Sequence, residues 1–161
     1  MKKGRDEQVE NVLTEIESEH DEVRDMLAKI DQAKRITWSH VEALYVTLKG
    51  HHEAEEHVLF PKVRPVDSQA EKLVEHLIEE HDEAETGLLA MIEKHKKDEQ
   101  KFDWEKYGEL AKLLREHMEE EESKLFKKAR KAMTEEELKA ALDPFETQEE
   151  KSKKSAKKEV K

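Results

Sequence analysis

Two segments of the chain set a glutamate four residues after a histidine: His51 with Glu55 in HHEAEEHVLFP, and His117 with Glu121 in HMEEEESKLF. Each is preceded by a lone histidine, His20 in EHDEVRDML and His81 in EHDEAETGL. In a helix, positions i and i+4 share a face about 5–6 Å apart, so each pair can turn an imidazole nitrogen and a carboxylate oxygen toward one cation. Carboxylates from opposing helices can bridge two divalent ions while each ion collects imidazoles, leaving a coordination position for an exogenous ligand. A nitrogen and oxygen donor set without sulfur suits iron, manganese or zinc. The chain has no cysteine, which excludes thiolate zinc sites, iron–sulfur ligation and disulfides.

The elements that must position these residues are helices. Val9, Leu13, Ile16, His20, Val23, Leu27 and Ile30 step by alternating four and three residues, the seam of a helix packed in a bundle. A second stripe runs Val41, Leu44, Leu48, His51, Glu55 and Val58 or Leu59, entered through Thr37 to Ser39 and closed near Pro61 and Pro65. The third, capped by Ser68, reads Ala70, Val74, Leu77, His81, Ala84, Leu88, Met91 and His95. The fourth, capped by Asp103, reads Tyr107, Leu110, Leu114, His117, Glu121 and Leu125. All six candidate ligands therefore occupy slots where an apolar side chain is expected.

The stripes repeat. An offset of 61 residues lays Glu19-His20-Asp21-Glu22 on Glu80-His81-Asp82-Glu83, and an offset of 66 lays Trp38, His51, Glu55 and Leu59-Phe60 on Trp104, His117, Glu121 and Leu125-Phe126. The repeat unit is a helical hairpin and the domain is two of them. Each ligand histidine lies roughly 20 Å from its helix end at the helical rise, so antiparallel packing brings all six side chains to one layer. Two carboxylates buried there with no Lys or Arg in the seam would each cost several kcal/mol uncompensated. Two metal ions answer both the charge and the coordination.

Other histidines are placed by phase. His52 and Glu56 also stand four apart but one step off the stripe, so His51 and Glu55 are preferred, with His52 kept as an extra ligand or a support for one. His95 reads as a core-edge residue, and His40, His57 and His76 as surface residues. Tyr45 and Tyr107 read as core, Trp38 and Trp104 as packing for the bundle end. Glu19 and Glu80 can orient imidazoles or stand in solvent.

Charged residues make up 44% of the 161 residues and hydrophobic ones 35%, with four Gly and three Pro, a composition of long amphipathic helices rather than strands. Thirty basic against 41 acidic side chains give a net charge of -11, which opposes nucleic acid or an anionic membrane as partner. No apolar run reads as a signal peptide or a membrane span, so the expected location is cytoplasmic. Residues 1–133 read as the bundle and 134–150 as a short C-terminal helix and turn, opened by Thr134-x-x-Glu137 and stopped at Asp143-Pro144. Residues 151–161 read as a disordered basic tail, able to tether an acidic protein partner.

The pattern of a lone His, then His-x-x-x-Glu before Leu-Phe-Pro, then the same pair again, resembles the hemerythrin-like HHE cation-binding family over roughly residues 10 to 132. The resemblance implies an all-α, antiparallel up-and-down four-helix bundle. It also implies a non-haem centre of two iron ions, carboxylate- and oxo- or hydroxo-bridged, held by His20, His51, Glu55, His81, His117 and Glu121. Hemerythrins proper carry a His-x-x-x-His on the third helix; here the residues at that spacing from His81 are Leu77 and Glu85. Glu85, His52 or water is left to complete the coordination. The preferred function is binding of a diatomic gas, oxygen or nitric oxide, for sensing, buffering or detoxification. The alternatives are a di-iron peroxidase or oxidase, and iron storage or iron-responsive regulation.

Overall fold

The computed structural model describes residues 10–33, 38–98 and 101–161, and Val9 and Thr37 from the stripes above lie outside them. Among the described residues all regular structure is helical. In order come α1 (Val12–Gln32), α2 (Trp38–Ala54), a π turn (Glu55–Leu59), α3 (Phe60–Val63), α4 (Ser68–Asp98), α5 (Trp104–Glu120), a second π turn (Glu121–Leu125), α6 (Phe126–Ala132), α7 (Glu135–Ala140) and α8 (Leu142–Glu159). Among them no helix is long and apolar enough to cross a membrane.

Local chemistry sets the helix starts. The Asn11 side chain accepts from the N–H groups of Leu13 and Thr14 at 2.8 and 3.1 Å, satisfying two of the donors that open α1. Asp103 does the same for Lys106 at the start of α5, as its sequence position predicts. For α4 the cap is Asp67, one residue before the expected Ser68; its Oδ1 accepts from the Ala70 N–H at 2.7 Å. Thr134 and Glu137 form the expected capping box that opens α7.

The apolar stripes pack into two clusters. One joins Val23, Leu27 and Ile30 of α1 with Val41, Leu44 and Leu48 of α2, Ala84 and Leu88 of α4, and Leu110 and Leu114 of α5. The other joins Val12, Leu13 and Ile16 with Leu59, Phe60 and Val63, with Val74 and Leu77, and with Leu125, Phe126 and Ala129. α1 and α4 thus give one half to each cluster, while α2 and α5 feed mainly the first and the π turns, α3 and α6 that follow them feed the second, and the polar residues of the seam fall between the two. The Tyr107 hydroxyl, buried as expected, donates to the Leu27 carbonyl at 2.9 Å and fixes α5 against α1.

Both π turns begin at a candidate ligand, and in each the following Phe N–H, of Phe60 or Phe126, reaches back five residues to the carbonyl of Glu55 or Glu121. A π turn adds one residue to a helical turn. The inward stripe is therefore delayed by one position, which selects Leu59 over Val58 and turns Phe60 and Phe126 inward as well. Pro61 is not the cause, since Lys127 holds the equivalent place in the second repeat. Nor does Pro61 end the helix: it sits in the first turn of α3.

The C-terminus departs from the sequence reading. Instead of a short helix and a disordered tail over 151–161, α8 continues to Glu159 and packs along α2. Its buried face is Phe145, Glu149, Ser152 and Ala156, spaced four, three and four apart. Close approach is possible because α2 presents Gly50: a Cβ there would lie 2.6 Å from Lys153 Cγ and 3.0 Å from the Glu149 carbonyl oxygen. Tyr45 donates to Glu159 at 3.0 Å, and Lys96 donates to the Val160 carbonyl, anchoring the far end. Pro144 does not stop a helix but stands in the first turn of α8, where a missing N–H costs nothing.

Candidate metal centre

His20, Glu55, His81 and Glu121 are 0% exposed and His51 and His117 are 2% exposed, so the bundle encloses all six predicted residues. They converge as two overlapping sets, His20, His51, Glu55 and Glu121, and Glu55, His81, His117 and Glu121, within which donor atoms lie no more than 4.8 Å apart.

The carboxylates face both ways. Glu55 sets Oε2 3.2 Å from His51 Nε2 and Oε1 3.2 Å from His81 Nε2. Glu121 sets Oε1 2.9 Å from His20 Nε2 and Oε2 3.1 Å from His117 Nε2. Each carboxylate so presents one oxygen to the His20–His51 pair and the other to the His81–His117 pair.

Each of the four candidate histidines is held from behind by a glutamate. A carboxylate only accepts, so Nδ1–H is the donor: His20 to Glu122 at 2.7 Å, His51 to Glu19 at 2.8 Å, His81 to Glu56 at 2.7 Å and His117 to Glu80 at 2.8 Å. These bonds obey the repeat, since Glu19 and Glu80 share the offset of 61 and Glu56 and Glu122 the offset of 66. With Nδ1 spent on donation, each Nε2 carries its lone pair inward.

That arrangement fits a cation. Both Glu55 oxygens, Glu121 Oε2 and His51 Nε2 are buried without a hydrogen-bond partner, a costly state for carboxylate oxygens. His81 Nε2 and His117 Nε2 face each other at 3.0 Å. Two lone pairs at that distance repel unless a proton or an ion lies between them. Two adjacent donors on one ion at about 2.1 Å stand about 3 Å apart, the spacing found here.

Without a metal, protons take its place. Burial would lower the pKa of His51, but Glu55 and Glu19 outweigh it and hold the imidazole well above its ordinary value. His81 is likewise raised against burial by Glu121, Glu55 and Glu56. Burial opposes the charge on His117 too, yet Glu121 and Glu80 bring it up to about 9. Glu121, despite burial that favours its neutral form, is held well below the carboxylate range by His117, His20 and His81. The site demands positive charge, as its seam position predicts.

Other candidates sort differently from the sequence reading. His52 is also buried, at 1% exposure, its ring stacked on His81 at 3.7 Å and its Nδ1–H donating to Glu85 at 2.7 Å. Burial first, then the neighbouring imidazoles, hold His52 neutral, well below its ordinary pKa. Glu85 faces His52 and Lys49, with Lys49 Nζ at 3.2 Å, and burial pushes its carboxyl up to about 7. His95 is half-buried and stacks on Trp38 at 4.1 Å, while His40, His57 and His76 are exposed as expected. Trp38 packs the bundle end, but Trp104 is 46% exposed.

Glu19 and Glu80 do orient imidazoles, though each serves the histidine of the next helix rather than its neighbour in sequence. Glu56, read from the sequence only as the off-stripe partner of His52, and Glu122, not singled out there, support His81 and His20. Their signal in the sequence is that in both repeats a second glutamate directly follows Glu55 or Glu121.

No curated protein and no solved structure matches the chain. A family model does: residues 11–129 match the hemerythrin HHE cation binding domain, a span that contains all six convergent residues and both π turns. The chain belongs to that family, and its buried His and Glu cluster is suited to a metal cofactor.

Proposed function

We propose that this chain is a non-haem di-iron protein that binds a diatomic gas, oxygen or nitric oxide, for sensing, buffering or detoxification. The observation that carries the two-ion reading is the division of each carboxylate, with one oxygen toward His20 and His51 and one toward His81 and His117. His20 and His51 would hold one ion, His81 and His117 the other, and Glu55 and Glu121 would span both. The order of the core clusters supports the antiparallel, up-and-down bundle that this requires.

The bound irons would supply reducing equivalents and a free coordination position, chemistry that no side chain of the cluster offers. The chain's own residues do the rest. Glu122, Glu19, Glu56 and Glu80 fix ring orientation and tautomer, and the apolar clusters on either side exclude bulk water. Enclosure favours a small ligand: two surface cavities, of about 400 Å³ beside Trp38 and about 890 Å³ between Lys72 and Lys131, are lined by none of the six residues.

Metal analysis and a visible spectrum of the purified protein test the first part: two irons per chain with an oxo-to-iron charge-transfer band are expected. Stopped-flow spectra of the reduced protein mixed with each gas test the second. Absence of a spectral change with either gas rejects gas binding.

A further inference from the structure

The second hairpin carries another cluster of metal-ligating atoms, at the surface behind His117. His76 of α4 sets Nε2 3.2 Å from Glu80 Oε2, one turn on, and 3.3 Å from Glu120 Oε1 of α5. His76 is exposed and the two glutamates are half-buried, and the three donor atoms lie within 4.8 Å of one another. The other oxygen of each carboxylate is spent: Glu80 Oε1 accepts from His117 Nδ1–H at 2.8 Å, and Glu120 Oε2 accepts from Lys124 Nζ at 3.5 Å. Glu120 Oε1 is shut off from water and has no hydrogen-bond partner, the His76 ring included. An ordinary surface ion pair leaves such an oxygen bonded or wet. A buried carboxylate oxygen with neither is costly, and Glu55 and Glu121 bear the same mark inside the bundle.

We infer that His76, Glu80 and Glu120 form an outer site for a divalent cation, the first stop of metal on its way to the centre. One imidazole and two carboxylates stand at the spacing that adjacent donors keep on one ion at about 2.1 Å. That donor set suits ferrous iron, cobalt or zinc, with water in the remaining positions. Glu116, Glu119 and Glu120 line a hollow of about 250 Å³ and draw cations toward the cluster, against the single Lys124. The lysine-lined groove that His76 also borders repels them, so approach is from the glutamates. Glu80 joins the two sites, one oxygen on the outer imidazole and the other on the ring of His117. The first hairpin cannot repeat this: the counterparts of His76 and Glu120 are Glu15 and Ala54, and Glu149 of α8 stands against Glu19.

This rests on the metal reading above, and the test separates the two. Full-length protein is equilibrated with cobalt(II), and bound ions are counted before and after washing in cobalt-free buffer. The unaltered chain should hold three ions before washing and two after. His76→Ala and Glu120→Gln should hold two at both stages, and the half-time for filling those two positions should lengthen several-fold. Only two ions in the unaltered chain, or a third that persists in either variant, overturns the outer site and leaves the centre standing. A single washable ion, absent from both variants, overturns the centre and leaves the outer site. An unchanged half-time overturns the role in loading, and a chain that takes up no cobalt overturns everything.

Discussion

The first hairpin and the second each orient two histidines through a glutamate behind Nδ1, yet what lies outside each is unlike. Behind His51 the supporting Glu19 meets Glu149 of α8, whose carboxyl burial and the bond to Glu19 push up to about 8. Phe145 of the same helix stands edge-on to His51 at 6.2 Å. Behind His117 the supporting Glu80 instead faces His76 at 3.2 Å, and His76 is exposed. What the repeats share is what charge neutralisation and coordination demand. What they do not share is cover, and cover sets how dry each half is.

The largest effect should come from breaking what is common. Glu121→Ala and Glu55→Ala each remove a carboxylate that serves both histidine pairs, so metal affinity should fall on the order of 100-fold or more whichever hairpin is altered. Metal analysis after dialysis reads this; a loss confined to one ion would show that the halves are independent.

Next is the response of the metal-free protein to pH. The His117 pKa is raised to about 9, against burial, by Glu121 and Glu80, and His51 and His81 are raised as well. Groups raised on folding stabilise fully below the unfolded value of about 6.5 and lose that contribution as pH climbs through the folded value. Thermal unfolding of the metal-free chain should fall between pH 6.5 and about 9. The metal-loaded chain, whose ligands are already deprotonated, should not follow it.

A smaller contrast separates the two supports. Glu19→Gln and Glu80→Gln should each weaken metal binding by about 10- to 100-fold, with Glu19→Gln the worse because its site is the drier. Competition with a chelator measures both, and equal losses would show that α8 contributes nothing to the centre. Least in size, Gly50→Val should cost about 1–3 kcal/mol by forcing α8 off α2. Gly108→Ala, with open space around it, should gain about 0.5–1 kcal/mol from helix propensity. Chemical denaturation compares the two.

The core stripes and the six convergent residues were legible because a polar side chain in an apolar seam is costly and its recurrence at two offsets is hard to produce otherwise. The supporting glutamates were harder, since in a chain so rich in acid a glutamate one step off the stripe looks like solvated surface. The π turns left no mark in periodicity beyond a choice between Val58 and Leu59. α8 was missed for a physical reason: Ser152 and Ala156 are too small and Glu149 too polar to register as an apolar stripe, and Lys-rich surroundings read as disorder. Its packing depends on Gly50, about a hundred positions away, which no local window weighs.

The bonds that join His20 to Glu121 and His81 to Glu56 each cross from one hairpin to the other, the first between residues 101 apart in the chain. Ions shared by those helices would act as a clasp between distant stretches of polypeptide, stabilising the folded chain by binding a site that the unfolded chain does not form. In a chain without a single thiol, stripping the clasp should speed unfolding far more than it slows refolding.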